Sequence, residues 1–183
     1  MTSKPANTRK YLVISALGQD RPGIVKNLSQ AITEHECNIE DSRMAVLGGE
    51  FALMLLVSGS WSAIAKLEGQ LPALGKKLEL VTVARPTEGR VTRPNMVPYT
   101  VNVVAMDHPG IVRDVTDFFS TREINIEEMN TWTYPAAHTG TSMFSLSMTI
   151  SIPASIQIAR LRDDFLHFCD DLNLDATLEP VMR

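Results

Sequence analysis

Two short stretches, DRPGIV at residues 20–25 and DHPGIV at 107–112, carry residue types suited to binding a small anion. In each stretch proline fixes the backbone dihedral φ near the start of a helix. Gly23 and Gly110 remove a side chain where the first free backbone N–H groups point outward, an arrangement suited to a carboxylate. A second interpretation stays open, in which Asp20 and Asp107 cap the helices and the glycines only ease a tight turn.

Two asparagines, Asn38 and Asn125, follow the helices that begin at these turns. An Asn side chain offers both N–H donors and an acceptor, so it can bind an ammonium group or a carboxylate. We expect each Asn to lie beside the edge of a neighbouring unit if two units pair through their second strands. The alternative is that each Asn holds a left-handed position in the turn that ends the helix.

The remaining polar residues do not form a recognisable catalytic group. The histidines are not spaced as metal ligands, and only His108 lies in a repeated stretch, where its counterpart is Arg21. The Gly-x-Ser-x-Gly, GxxxxGK[ST] and HExxH motifs do not occur in the sequence. We therefore predict a protein that is not an enzyme and uses neither a cofactor nor a metal ion.

The candidate residues recur at a constant distance along the chain. Asp20, Gly23, Asn38 and Glu40 are each followed 87 positions later by the same residue type. A fixed offset across twenty residues indicates an internal duplication. When Phe51 is aligned with Phe144 the offset rises to 93, which indicates six residues inserted around PAAHTG in the second copy.

Hydrophobic patterns predict the elements that position these residues. YLVISALG and YTVNVVAM predict buried strands. The spacing of Ile24, Val25, Leu28 and Ile32 predicts one apolar stripe on a helix. Gly48-Gly49 predicts a tight hairpin, and Pro72 is expected to end or kink the second helix. The fold class is therefore α+β, with two tandem ferredoxin-like β-α-β-β-α-β units, each an antiparallel sheet with both helices on one face.

The third strands of the two copies differ in polarity. Residues 51–57, FALMLLV, are apolar on both faces, whereas apolar residues alternate with Ser and Thr over 144–151. We expect one sheet face of the second unit to be wet and the first sheet to be covered on both faces.

The duplication and the prolines predict the domain organisation. We predict a flexible tail at residues 1–9, a first domain at 10–85, a stiff linker at 86–97 and a second domain at 98–183. Units of about 85 residues are only marginally stable alone. We therefore expect them to pack on one another or on a second chain, and we predict a homodimer.

Composition excludes several classes of function. The 183 residues carry 17 Lys and Arg against 21 Asp and Glu, a formal charge of −4, which argues against a nucleic-acid surface. The topology also occurs in RNA-binding modules, but the middle strands here carry mainly aliphatic residues. Two cysteines at non-equivalent positions predict free thiols in a reducing compartment. No long apolar run occurs, so we predict a cytoplasmic protein without a membrane segment.

A strand followed by DRPGIV or DHPGIV, a helix and NIE resembles the ACT domain, a small module that binds amino acids and regulates metabolism. The stretches ALGQDRPGIV, CNIEDSRMAVLGGEF and LLVSGSW resemble, within that family, free-standing tandem ACT proteins that repress transcription of the glycine cleavage genes. The resemblance implies a regulator without its own DNA-binding element, which holds a transcriptional activator and is relieved by glycine. The alternative is a regulatory subunit that controls an amino-acid metabolic enzyme directly.

The same resemblance implies which residues contact the ligand. They are Asp20, Arg21, Gly23 and Asn38 in the first copy, and Asp107, His108, Gly110 and Asn125 in the second.

Overall fold

The computed structural model describes residues 9–89 and 95–181, and the chain divides into two compact units between residues 91 and 92. Each unit has the element order strand, helix, strand, strand, helix, strand. The first unit contains β1 (Lys10–Gln19), α1 (Ile24–Glu34), β2 (Asn38–Leu47), β3 (Glu50–Gly59), α2 (Trp61–Lys77) and β4 (Val81–Thr87). The second contains β5 (Met96–Met106), α3 (Ile111–Ser120), β6 (Asn125–Pro135), β7 (Ser142–Pro153), α4 (Ile158–Asp171) and β8 (Asp175–Pro180).

The predicted tail and linker fall partly outside the described residues. Only Arg9 of the tail at 1–9 is described. Of the linker at 86–97, residues 90–94 lie outside the described part of the chain, while β4 extends to Thr87 and β5 begins at Met96.

Both sheets are antiparallel, with strand orders β2-β3-β1-β4 and β6-β7-β5-β8. The first and third strands of each unit are central and the second strand is at an edge. In the first unit, residues of both helices join one cluster of buried apolar residues with the strands, so both helices cover the same sheet face. The predicted α+β fold of two ferredoxin-like units is confirmed.

The apolar stripe of α1 packs against the sheet through Ile24, Leu28 and Ile32, which are all buried. Val25, which the pattern also assigned to the stripe, is 45% exposed. It lies one position beyond Ile24, about 100° around the helix, and so leaves the buried face. In the second unit the corresponding stripe carries Phe118 and Phe119, whose rings lie 5.2 and 5.0 Å from that of Phe165 on α4.

The glycines and the proline expected to interrupt regular structure behave differently from one another. Gly48 and Gly49 have φ values of 61° and 89°, as the predicted hairpin requires. Pro72 does not end α2, which continues to Lys77, so the expectation that it ends the helix is wrong, while the alternative of a kink stays a prediction. Proline removes one backbone hydrogen bond, but buried Leu67, Leu71 and Gly75 lie on both sides of it and hold the helix against the sheet.

The sheet faces opposite the helices, called here the outer faces, differ in chemistry between the units. The outer face of the first sheet carries Leu17, Met54, Val81 and Val83, which are 50–69% exposed. This face is apolar, as expected, but these four side chains are not covered in the described structure.

On the outer face of the second sheet, Asn102 accepts a hydrogen bond from Ser147 at 2.8 Å and donates one to Thr177 at 3.4 Å. This face is therefore polar, as expected, although Ser145 and Ser151, two of its third-strand residues, are buried at 8% and 6% exposure.

Candidate functional site

The turn between β1 and α1 is shaped by Gly23, whose φ of 95° and ψ of −7° lie in the left-handed region. Gly110 takes the same conformation before α3, with φ of 108° and ψ of −18°. A Cβ atom added at Gly23 would have its nearest neighbour 3.6 Å away. Glycine is therefore required there by the backbone angle and not by lack of space.

Asp20 and Asp107 do not cap the helices, so that interpretation is wrong. Gly23 and Gly110 occupy the N-cap positions, and no side chain of the described residues bonds to the N–H groups of either helix start. The backbone N–H of Asp20 instead donates to the Gly49 carbonyl at 3.0 Å, and that of Asp107 to the Ser142 carbonyl at 2.9 Å. These bonds tie each turn to the hairpin, and the first N–H groups of the helix remain without a side-chain cap.

Arg21 and His108, at equivalent positions, make different contacts. The Arg21 guanidinium donates to the Glu79 carboxylate at 2.9 Å and to the backbone carbonyl of Leu78, which caps the end of α2. This places a positive charge at a helix C-terminus, where it stabilises the unpaired carbonyls. The His108 ring lies 3.2 Å from the carbonyl of Pro109, within its own turn. The guanidinium of Arg21 is therefore already bonded to two residues of the first unit, Leu78 and Glu79.

Asn38 and Asn125 do not hold the left-handed positions that end the helices, so that alternative is wrong as well. Those positions belong to Glu36 and Glu123, with φ values of 56° and 58°. Asn38 is the first residue of β2, where its Nδ2 donates to Oε1 of Glu40 at 3.2 Å. The Asn38 side chain therefore takes no part in the turn that follows α1.

The turn and the asparagine lie at opposite ends of each unit. The 11 residues of α1 span about 16 Å at 1.5 Å per residue. The strand register agrees, since Gln19 at the turn pairs with Glu50, whereas Asn38 pairs with Ser58 at the far end of β3. Glycine is only a few ångströms long. One unit therefore brings together Asp20, Arg21 and Gly23, but it does not bring Asn38 to them, and the second unit separates its four residues in the same way.

A repeated carboxylate–hydroxyl pair was not among the residues predicted from the sequence. Glu40 forms a β-bulge in β2, between the pairs Ile39–Val57 and Asp41–Leu56, and accepts a 2.5 Å hydrogen bond from Ser58. Glu127 forms the equivalent bulge in β6 and accepts a hydrogen bond from Ser151. Both serines are buried, at 1% and 6% exposure. The available signal was the recurrence of Glu at offset 87 and of Ser at offset 93.

The Glu40 carboxylate is held in its charged form by its neighbours. The hydroxyl of Ser58, followed by the amide of Asn38, keeps the pKa of Glu40 below its usual value of 4.5, and the guanidinium of Arg9 acts in the same direction. Arg9 lies 3.5 Å from the carboxylate. Ser58 and Asn38 thus link Glu40 to a polar pocket of about 400 Å³, lined by Arg9, Glu36, Asn38, Ser58, Gly59 and Ser60. We call it the Asn38 pocket.

The described residues offer little for redox or metal chemistry. Within 9–89 and 95–181 no group of three or more His, Cys, Asp and Glu side chains is arranged to hold a metal ion. Cys37 and Cys169 are buried, unpaired thiols. Burial, with a smaller contribution from Asp170, raises the pKa of Cys169 to about 12. No helix in the described part of the chain is long and apolar enough to span a membrane.

Comparison with known proteins agrees with the fold. The sequence model of the ACT domain matches residues 10–85. The chain is 37% identical over 175 residues to the glycine cleavage system transcriptional repressor of Escherichia coli, covering 96% of this chain and 92% of the relative.

Two solved structures superpose on nearly the whole chain. A protein of unknown function from Galdieria sulphuraria shares 30% identity with a TM-score of 0.77, covering 95% of this chain and 99% of that protein. A protein provisionally assigned as a glycine cleavage system transcriptional repressor shares 29% identity with a TM-score of 0.74, covering 96% and 99%. The chain therefore belongs to the family of tandem ACT-domain proteins that includes the glycine cleavage system transcriptional repressor of Escherichia coli.

Proposed function

We propose that this protein represses transcription of the glycine cleavage genes by binding a transcriptional activator, and that a small amino acid, glycine, relieves the repression. The observation that carries the proposal is the 37% identity to the Escherichia coli repressor over 96% of the chain. A regulatory role follows from that relationship, whereas the activator and the glycine signal are parts of the proposal.

The output is a contact with another protein and not with DNA. The chain has a formal charge of −4, and neutralisation of phosphates by Lys and Arg supplies most of the affinity for DNA. We therefore expect no nanomolar binding to an operator fragment at physiological salt when the partner protein is absent. No turnover of substrate is needed for this role, and the protein acts as a regulator in the cytoplasm.

The amino acid binds weakly in this proposal, as suits an abundant metabolite. The best small ligands gain at most about 1.5 kcal/mol per heavy atom, which limits glycine to about −7.5 kcal/mol and a dissociation constant of a few micromolar or weaker. The predicted ligand residues divide between the glycine turns and the asparagines at the other end of each unit. The uncapped N–H groups at Gly23 and Gly110 suit a carboxylate, and the amide of Asn38 suits an ammonium group, but within one unit these groups are too far apart to bind the same glycine molecule.

The protein works as a homodimer in this proposal. The outer face of the first sheet exposes Leu17, Met54, Val81 and Val83, and burying such side chains against a second copy stabilises the assembly by about 25 cal/mol per Å² of apolar surface.

The test uses the purified protein and the purified activator of the glycine cleavage genes. Biolayer interferometry measures their complex with glycine and, as a control, with the same concentration of L-glutamate. We expect a complex that glycine weakens and glutamate does not. A complex that is indifferent to glycine would overturn the proposed signal, and failure to bind the activator would overturn the proposed output.

The alternative function is a regulatory subunit of an amino-acid metabolic enzyme. Recovery of such an enzyme from lysate, with its activity changed by adding this protein and glycine, would favour the alternative. Partner recovery at low and high glycine therefore separates the two.

A further inference from the structure

The Asn38 pocket lies at the end of the first unit that is remote from the glycine turn. The turn after α1 contributes Glu36, the start of β2 contributes Asn38, and the end of β3 contributes Ser58 and Gly59. Ser60 caps α2 by accepting a hydrogen bond from the N–H of Ala63 at 3.1 Å. Arg9, the residue before β1, also lines the pocket. The pocket is thus built by residues at or beside the ends of several elements of one unit.

The pocket carries separated charges of both signs. Arg9 supplies a guanidinium whose side chain is 61% exposed, with its Nη1 3.5 Å from the Oε1 atom of Glu40. Glu40 already accepts shorter hydrogen bonds from Ser58 and Asn38. Glu40 therefore does not depend on Arg9 alone, and the other guanidinium donors can bind an incoming carboxylate in a bidentate manner.

The amide of Asn38, which lines the pocket, is left with its oxygen as a free acceptor. Its Nδ2 group donates to Glu40, and the reverse orientation would set two oxygen atoms against each other. The Oδ1 atom is therefore the acceptor that the amide offers. Glu36 lines the same pocket, so an amide and an acidic residue are both available to an ammonium group.

We propose that the Asn38 pocket binds the zwitterion of a small α-amino acid, with its carboxylate on Arg9 and its ammonium group on Asn38 and Glu36. The inference rests on the proposed function, which requires an amino-acid signal, and it names the place where that signal binds. It adds Arg9 and Glu36 to the ligand residues, and of the residues predicted from the sequence it retains only Asn38 in this site.

The second unit keeps only half of this arrangement. Glu123, Asn125 and Ser151 occupy the positions of Glu36, Asn38 and Ser58. The positions of Arg9, Gly59 and Ser60 are held by Met96, Ile152 and Pro153. The groups for an ammonium remain, but the guanidinium for a carboxylate is replaced by a thioether. The proposal therefore expects one amino acid per chain, in the first unit.

The experiment is calorimetric titration of glycine into the full chain and four variants. Arg9→Gln and Asn38→Ala each remove a hydrogen bond to a charged ligand group, and we expect each to weaken binding about 10- to 150-fold. Lys10→Gln removes the same charge one residue away, outside the pocket. Asn130→Ala removes an exposed asparagine that likewise donates to a glutamate two residues away, at 3.3 Å to Glu128. Both controls are expected to bind as the parent does.

Acetate and methylammonium are titrated as single-charge fragments of glycine, and each should bind more weakly than glycine. Melting temperatures of the variants show that they are folded, as expected for substitutions at exposed residues. Unchanged glycine affinity in both Arg9→Gln and Asn38→Ala would overturn the location while leaving the proposed function standing. No binding of any of the twenty amino acids to the parent protein would overturn the amino-acid signal itself.

Discussion

Replacing Gly23 by alanine tests the assignment of this residue as a conformational requirement of the turn. Its φ of 95° is one that L-residues adopt at a cost of about 1–2 kcal/mol. Steric clash does not add to this cost, because the nearest atom to the new Cβ is Nδ2 of Asn27 at 3.6 Å. We therefore expect Gly23→Ala to lower the free energy of unfolding by about 1–2 kcal/mol.

The same substitution at Gly69 is the matched control. Gly69 lies in the interior of α2, and a Cβ there would meet no described atom within 4 Å. Alanine is favoured over glycine in a helix, so Gly69→Ala should raise the free energy of unfolding by about 0.5–1 kcal/mol. One chemical change thus has opposite effects at two sites of one unit.

Urea unfolding followed by circular dichroism measures both variants against the parent. The two free energies of unfolding should differ by about 1.5–3 kcal/mol, which separates the urea midpoints by about 1 M for a slope typical of a small protein. A Gly23→Ala variant as stable as the parent would refute the assigned role of the backbone angle. So would a loss of equal size at Gly69, because it would show that the change itself is destabilising.

Three further predictions concern titration and assembly. Burial raises the pKa of Cys37 and brings that of Cys169 to about 12, so both thiols should resist iodoacetamide at pH 8 in the native protein and react in urea, as mass spectrometry will show. The pKa of Glu40 is lower when folded than its usual 4.5, so its ionised form contributes stability above that pH and loses it as the pH falls through the folded value. Glu40→Gln should therefore differ most from the parent at neutral pH and converge with it in acid, as judged by urea midpoints. Met54→Lys should shift the sedimentation equilibrium from dimer toward monomer, and an unchanged mass would show that the outer face of the first sheet is not the interface.

The duplicated architecture could be predicted because it depends on patterns that are local in sequence. Gly23 and Gly110 are required by backbone geometry, and the stripe of Ile24, Leu28 and Ile32 follows the helical period. The order of the strands in each sheet follows from the β-α-β-β-α-β order of the elements along the chain. Such features recur in both copies, so each copy supported the interpretation of the other.

The roles of individual polar side chains were harder to predict because they depend on strand register and on the ends of the helices. Asp20 precedes a helix in a way typical of a cap, yet Gly23 occupies the N-cap position, and the backbone of Asp20 bonds to the hairpin. Asn38 has the residue type for a left-handed turn, yet Glu36, two residues earlier, adopts it.

The bond between Glu40 and Ser58 and the pocket beside it were missed for the same reason. The two residues are 18 positions apart, and Glu40 is the bulged residue, whereas Ser58 pairs with Asn38 in the ladder. Arg9 was assigned to the tail at 1–9, whereas the structure places it directly before the first residue of β1.

The bulges at Glu40 and Glu127 also limit what can be added at the edges of the two sheets. β2 and β6 are edge strands, and unpaired edge strands are templates for further strands. A bulged residue interrupts the ladder and increases the local twist. Uninterrupted pairing is therefore restricted to residues 41–47 of β2 and to 128–134 of β6, before Pro135, which has no N–H to donate. A strand that extends either sheet at this edge can pair continuously only with the residues beyond the bulge. The position of the bulge therefore limits the register that such a strand can adopt.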